Sequence, residues 1–159
     1  MALLMNQQNN SGQISIYSDG ASRGNPGLAG AGVVIFFENT PPPQTHSLSV
    51  FLGKKTNNEA EYLALYLATR YLSQLEDSRL KKESLKGSEA NFYLDSKLVV
   101  EQMSGNWKIK NTRMKKMVNL CHQEIAKLEI KASFFHVLRE KNQQADWLAN
   151  QAIDLSQDL

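Results

Sequence analysis

The stretch Ile14-Ser-Ile-Tyr-Ser-Asp19, running into Gly20-Ala-Ser-Arg-Gly-Asn-Pro-Gly27, decides how the rest of the chain is arranged. Ile14 and Ile16 alternate with Ser15 and Tyr17, a two-residue period that predicts a short strand, and the glycine-rich run after it predicts a tight loop. Asp19 is thereby placed at the carboxyl end of a strand. In open α/β sheets, side chains at that end leave the packed layer and converge in a crevice that solvent reaches. Gly20, Gly24 and Gly27 let backbone approach a ligand closely, Asn25 offers an amide, and Pro26 fixes the turn. A turn-forming Asp also has a purely structural use, so the meaning of Asp19 depends on the other acids.

Outward from this stretch, 159 residues at 42% hydrophobic content predict one α/β domain with a central sheet and helices on its faces. The polar run Asn6–Gly12 makes residues 1–12 a flexible lead-in to a single domain over 13–156. No segment approaches the ~20 apolar residues of a membrane span, so no membrane partner is expected. Met1–Met5 has neither a charged start nor a long apolar core, which predicts no signal peptide and a cytoplasmic protein. Cys121 is the sole cysteine, which excludes an intrachain disulfide and a thiolate zinc cluster; its apolar helical setting predicts a buried, inert thiol. A net charge of +2 is too small to name a polyanionic partner. Its distribution says more: Lys108, Lys110, Arg113, Lys115 and Lys116 lie together with no acid among them. Arg79, Lys81, Lys82 and Lys86 form a second group, which Glu83 interrupts and which reads as a solvated face.

Gly30–Glu38 is nearly all apolar and predicts a strand covered on both faces. Asn39–Pro43, with three prolines, breaks it, and the alternation of His46, Leu48, Val50 and Leu52 predicts a third strand in an antiparallel meander. From Asn57 the period becomes helical: Ala60, Leu63, Ala64, Leu67, Ala68, Tyr71 and Leu72 form a stripe, with Asn57 or Asn58 as the cap. Glu76–Ser88 reads as a surface connection. Asn91–Asp95 predicts a fourth strand, Ser96–Ser104 a short helix, Asn111–Leu128 an amphipathic helix, Ile130–Leu138 a fifth strand and Asn142–Leu155 a last helix. The long crossover before the fourth strand makes it parallel to a neighbour, completing a mixed five-stranded sheet.

Asp19 and Asp95 each close a strand, Asp146 falls in the first turns of the last helix, and Glu61 lies early in the first. If strands one and four are parallel neighbours, Asp19 and Asp95 lie side by side, and a helix packed across that edge brings Glu61 alongside. Clustered carboxylates repel one another unless a cation neutralises them. Oxygen ligands without Cys or paired His favour magnesium or manganese over zinc. Two such ions about 4 Å apart activate a water and stabilise a leaving oxygen in phosphodiester hydrolysis. Taken singly, Asp95 and Asp146 also fit the capping and helix-dipole roles of ordinary acids.

The runs YSDGASRGNPG, TNNEAEY, YLDSKLVVEQMSG and REKNQQADWLAN, in that order and spacing, resemble the successive motifs of the type 1 ribonuclease H family, from Ile14 to about Asp154. The resemblance implies the ribonuclease H-like fold, strands one to three antiparallel and four and five parallel to the first, with helices on both faces. It implies an endoribonuclease that cuts the RNA strand of RNA/DNA hybrids with two magnesium ions, manganese being an alternative, and leaves a 3′-hydroxyl and a 5′-phosphate. Asp19, Glu61, Asp95 and Asp146 match the family's metal-binding acids, while Glu59 has no counterpart and reads as surface. Asn25, Asn57 and Asn58 match positions that touch the hybrid's minor groove, where 2′-hydroxyls are exposed. Thr56, with Asn25 and with Lys54 or Lys55 adding charge, resembles a pocket for a DNA-strand phosphate, and Ser96 aligns with a serine that contacts RNA.

The chain also departs from the pattern. Val137 to Asp146 is too short for the loop that carries a His in many members; His136 reads as structural, and Arg139 is the candidate for assisting catalysis. A guanidinium is no general base at neutral pH, so its role is to position phosphate or favour release. The segment Trp107–Lys116 is too compact for the full basic protrusion, making this a short form. Trp107 either lines the DNA-strand channel or anchors the segment to the core. A monomer without an obligate protein partner is expected. Two alternatives remain: a nuclease of the same fold acting on double-stranded RNA or DNA junctions, and a hybrid-binding module without hydrolysis.

Overall fold

The alternation that begins at Ile14 runs further than the sequence suggests. In the computed structural model, which describes residues 12–38, 42–77 and 85–158, β1 spans Gln13–Gly24 and pairs antiparallel with β2 (Gly27–Phe37), from Ile14 opposite Phe37 to Gly24 opposite Gly27. The expected loop from Gly20 shrinks to a turn at Asn25–Pro26, joined by a cis peptide, because Gly20–Arg23 keep strand partners in β2. Asp19 therefore lies inside β1 rather than at its end. β3 (Gln44–Lys55) extends the meander on β2, while β4 (Glu89–Leu94) and β5 (Lys131–His136) add in parallel on the other side of β1. The order is β3-β2-β1-β4-β5. Pairing of β1 with β4 stops at Tyr17 opposite Tyr93, so Asp19 still stands at the carboxyl edge of the parallel strands.

The helices are α1 (Asn57–Asp77), α2 (Lys97–Met103), α3 (Thr112–Leu128) and α4 (Gln143–Gln157), with a 3-10 turn at Arg139–Lys141. α1 and α3 share one side of the sheet. There Ile14, Ile16, Val33, Ile35 and Phe92 meet Tyr62, Leu65 and Leu72 of α1 and Val118, Cys121 and Ile125 of α3 in a single apolar cluster. Burying each such side chain is worth about 1.5–3 kcal/mol, so this cluster is the main hold on α1 and α3. Burial pushes the Cys121 thiol up to about 12, leaving it inert as expected.

α4 covers the opposite face, against β2, β3 and β1. It settles unusually close because the residues beneath it lack side chains. A Cβ at Gly32 would sit 1.9 Å from the Ala145 carbonyl oxygen. Ser49 Oγ adds a hydrogen bond to the Leu148 carbonyl at 2.7 Å, which fixes α4 on β3.

The region expected to be a surface connection ends inside the core: Leu85 and Ser88 are buried. The rest of that connection from 78 to 84, with Arg79, Lys81 and Lys82, lies outside the described residues, as do 39–41 of the proline break and 1–11 of the lead-in.

Candidate metal centre

Three acids converge where β1 and β4 part. One carboxylate oxygen from each of Asp19, Glu61 and Asp95 lies within 4.8 Å of the other two. Two features of the fold bring them there. The parallel register of β1 on β4 carries Asp95, one residue past β4, level with Asp19. α1 then passes so close to β1 that a Cβ at Gly20 would lie 2.2 Å from the carbonyl carbon of Ala60 and 2.3 Å from the nitrogen of Glu61. Only glycine at position 20 admits Glu61 to the cluster.

Asp146, on the first turn of α4, flanks this group and helps to raise the pKa of the Asp19 carboxyl. Asn150, one turn on, donates to the Asp146 carbonyl at 3.0 Å and to its Oδ1 at 3.4 Å. Arg139, largely exposed on the 3-10 turn, places its guanidinium 3.6 Å from the same Oδ1.

Burial first, and then the neighbouring charges of Glu61 and Asp95, hold the Asp19 carboxyl far above the usual carboxylate range. Burial and Asp95 also raise Glu61, against the lowering effect of hydrogen bonds from Asp19 and from the Gly20 backbone. Glu61 Oε2 is buried without a hydrogen-bond partner. An orphaned carboxyl oxygen in a pocket of acids, with no sulfur or imidazole in the group, fits a hard divalent cation of the magnesium or manganese type.

The other residues singled out in the sequence take the following places. Asn25 is exposed at the hairpin turn, and its Oδ1 accepts the Asn57 backbone N–H at 3.2 Å. Asn57 and Asn58 are exposed on the first turn of α1 but do not cap it. Thr56 does: the Glu59 N–H donates to Thr56 Oγ1 at 3.2 Å and the Thr56 N–H to Glu59 Oε1 at 3.1 Å, a reciprocal capping box. Glu59, expected as plain surface, is thus half of a cap, and Arg113 of α3 lies 3.9 Å from its other oxygen. Lys54 is exposed and Lys55 half-buried, and the Lys55 carbonyl accepts from Ser22 Oγ at 2.8 Å. Ser96 caps α2, accepting the Val99 N–H at 3.4 Å, so Ser96 rather than Asp95 takes the capping role. Trp107 is 44% exposed with the Lys97 ammonium 5.9 Å from its ring centre, which places it at the surface rather than as a core anchor. His136 donates from Nε2 to the Asp95 carbonyl at 3.2 Å, a structural use of the ring.

One site residue escaped the sequence reading. Asn142 is buried, donates from Nδ2 to the Ser18 carbonyl at 2.9 Å, and accepts the Asp146 N–H on its own carbonyl at 3.1 Å. It joins the strand of Asp19 to the helix of Asp146. Its only sequence signal was an Asn just ahead of the QQAD run. Asn142→Ala is expected to lower stability by about 1–3 kcal/mol, through the unsatisfied Ser18 carbonyl. Denaturant titration against the wild type checks it.

A mixed sheet of this order, with acids meeting at the carboxyl edge of its parallel strands, defines the ribonuclease H-like class of folds. Residues 11–154 match the RNase H family. The bifunctional protein Rv2228c of Mycobacterium tuberculosis is 38% identical over 142 residues, covering 89% of this chain and 36% of that protein. Ribonuclease HI of Halobacterium salinarum is 32% identical over 148 residues, covering 93% of this chain and 68% of that protein. Among solved structures, LC11-RNase H1 in complex with RNA/DNA hybrid superposes with a TM-score of 0.77 at 39% identity, covering 90% of this chain and 98% of that one. The chain belongs to the RNase H family, and it spans little more than a third of the mycobacterial relative's length.

Proposed function

We propose that the protein is an endoribonuclease that hydrolyses the RNA strand of RNA/DNA hybrids with two divalent ions, magnesium in the cell and manganese as a substitute, leaving 3′-hydroxyl and 5′-phosphate ends. The observation that carries the reading is the convergence of Asp19, Glu61 and Asp95 within 4.8 Å, in a chain that resembles a ribonuclease H1 solved with such a hybrid. Asp19, Glu61 and Asp95 are the residues to hold one ion, and Asp146 with Asp19 the second. Bound there, such ions activate water and neutralise the leaving oxygen.

The remaining residues grip and orient the substrate. Asn25, Asn57 and Asn58, joined by the hydrogen bond between Asn25 and Asn57, offer donors and acceptors to minor-groove 2′-hydroxyls. Thr56 with Lys54 faces a DNA-strand phosphate, Ser96 the RNA strand, and Trp107 the DNA strand beside the basic run from Lys108 to Lys116. Arg139, already beside Asp146, positions phosphate or speeds release. The protein acts as a cytoplasmic monomer, and the domain extends over 13–156.

Labelled hybrid, RNA duplex and DNA duplex are to be incubated with magnesium, manganese or chelator. Cutting of the hybrid alone, in either metal, is expected; an intact hybrid in both metals overturns the reading. Arg139→Ala is expected to lower kcat by about tenfold with KM nearly unchanged, because the contact acts on the reacting state rather than on binding. An unchanged kcat removes Arg139 from the mechanism.

A further inference from the structure

Three spacings fix a triangle of carboxylates. The register of β1 on β4 sets Asp19 against Asp95, and the close pass of α1 over Gly20 sets Asp19 against Glu61. The third side, from Glu61 to Asp95, spans α1 and α2, and these helices pack chiefly on other neighbours, α1 on β1 and α3. Besides the apolar packing of Leu65 with Val99 and Met103 in one cluster, a polar link between them lies one residue beyond Glu61. Tyr62 is 0% exposed, and its hydroxyl donates to Oε1 of Gln102, itself buried on the last turn of α2.

This polar pair stands in an otherwise apolar setting. Tyr62 belongs to the same cluster as Leu65, Leu94, Val99 and Met103, where two hydrophobic side chains would pack without the desolvation cost of a hydroxyl and an amide. Tyr62 is fully buried and Gln102 nearly so, a low-dielectric setting that strengthens the bond. α2 has only seven residues, about 10 Å of helix, and starts at the Ser96 cap directly after Asp95. A hold on Gln102 is therefore a hold on Asp95.

We propose that the Tyr62–Gln102 hydrogen bond sets the distance between Glu61 and Asp95, making Tyr62 and Gln102 positioning residues of the metal centre. The inference rests on the hybrid-cleaving function proposed above. Neither residue touches metal or substrate; both act through the helices that carry the two acids.

Two variants of the full chain separate positioning from simple stability. Tyr62→Phe strands the Gln102 amide, whereas Tyr62→Phe with Gln102→Met removes both polar groups together. Thermal midpoint without metal, manganese affinity by calorimetry, and kcat and KM on hybrid are to be measured for each. Tyr62→Phe is expected to lower the midpoint, to weaken manganese binding by about fivefold or more, and to lower kcat by about tenfold with KM within about twofold. The double variant regains most of the midpoint, since no polar group is left unpaired, but neither the manganese affinity nor kcat. Recovery of affinity and kcat along with stability overturns the proposal, as does a Tyr62→Phe protein that loses stability alone. A wild type that binds manganese but leaves hybrid intact sinks the functional reading, and manganese affinity then judges the positioning role. A wild type that takes up no manganese sinks both.

Discussion

Asp19→Asn is expected to abolish cleavage, by ~10³-fold or more, and yet to stabilise the protein in the absence of metal. The two effects share one cause. Asp19 is 3% exposed and crowded by Glu61 and Asp95, so its charge is costly unless a cation answers it. A carboxyl whose pKa is raised by folding binds its proton more tightly in the folded state. It therefore supports the fold fully below the unfolded value of ~4, and that support is lost as pH rises through neutrality toward the raised value. With chelator present, the wild type should accordingly melt at falling temperature from pH 5 to 8, and Asp19→Asn less steeply. At pH 8 the variant should lead by ~1 kcal/mol or more, near 3 °C for a domain of this size. Added magnesium or manganese reverses the order, because the cation stabilises the wild type by about 2.7 kcal/mol at a hundred times its dissociation constant and has little hold on the variant. Calorimetric scans with and without metal, and a filter-binding test for retained hybrid affinity, check both halves. A variant that melts lower than wild type in chelator would sink the account of charge crowding.

Gly32→Ala is expected to cost about 3–5 kcal/mol, more than most core substitutions, and to carry cleavage down with it. The added methyl would lie 1.9 Å from the Ala145 carbonyl oxygen and 2.7 Å from the Ala149 nitrogen, both of them backbone, so no side-chain rotation makes room. α4 must lift from β2, which strains the Ser49 contact to Leu148 and draws Asp146 away from Asp19. Urea unfolding measures the first effect and hybrid cleavage the second. A loss under ~1 kcal/mol would mean that α4 is seated less rigidly than these contacts imply.

The strands and helices were legible because hydrophobic period is a local signal. The uninterrupted apolar run of β2 announced burial on both faces, and every residue from Ala29 to Ile35 is buried. The length of β1 was not legible. Gly20–Arg23 have turn-like composition, and only the facing strand, distant in sequence, keeps them extended. Among the acids, the order of motifs marked all four, but the sequence held no measure of distance. The expected parallel pairing of strands one and four already gathered Asp19, Asp95 and Glu61, which meet within 4.8 Å, whereas the contacts of Asp146 with Arg139 and Asn150 had no local signal. Caps show the same limit. Asn57 and Asn58 are as well suited to capping as Thr56, and the choice fell to Thr56 because Glu59 lies three residues on and returns the bond. Asn142 and Gln102 were invisible for another reason: a buried amide earns its place through partners far along the chain.

The β1–β2 turn touches more than its own strands. From one side of it Asn25 takes the first free N–H of α1, and from the other Arg23 reaches Asp154 of α4 at 2.7 Å. α1 and α4 lie on opposite faces of the sheet, and this short span of chain clasps both around its rim. A load placed on that turn is therefore shared between two helices that do not otherwise meet through it.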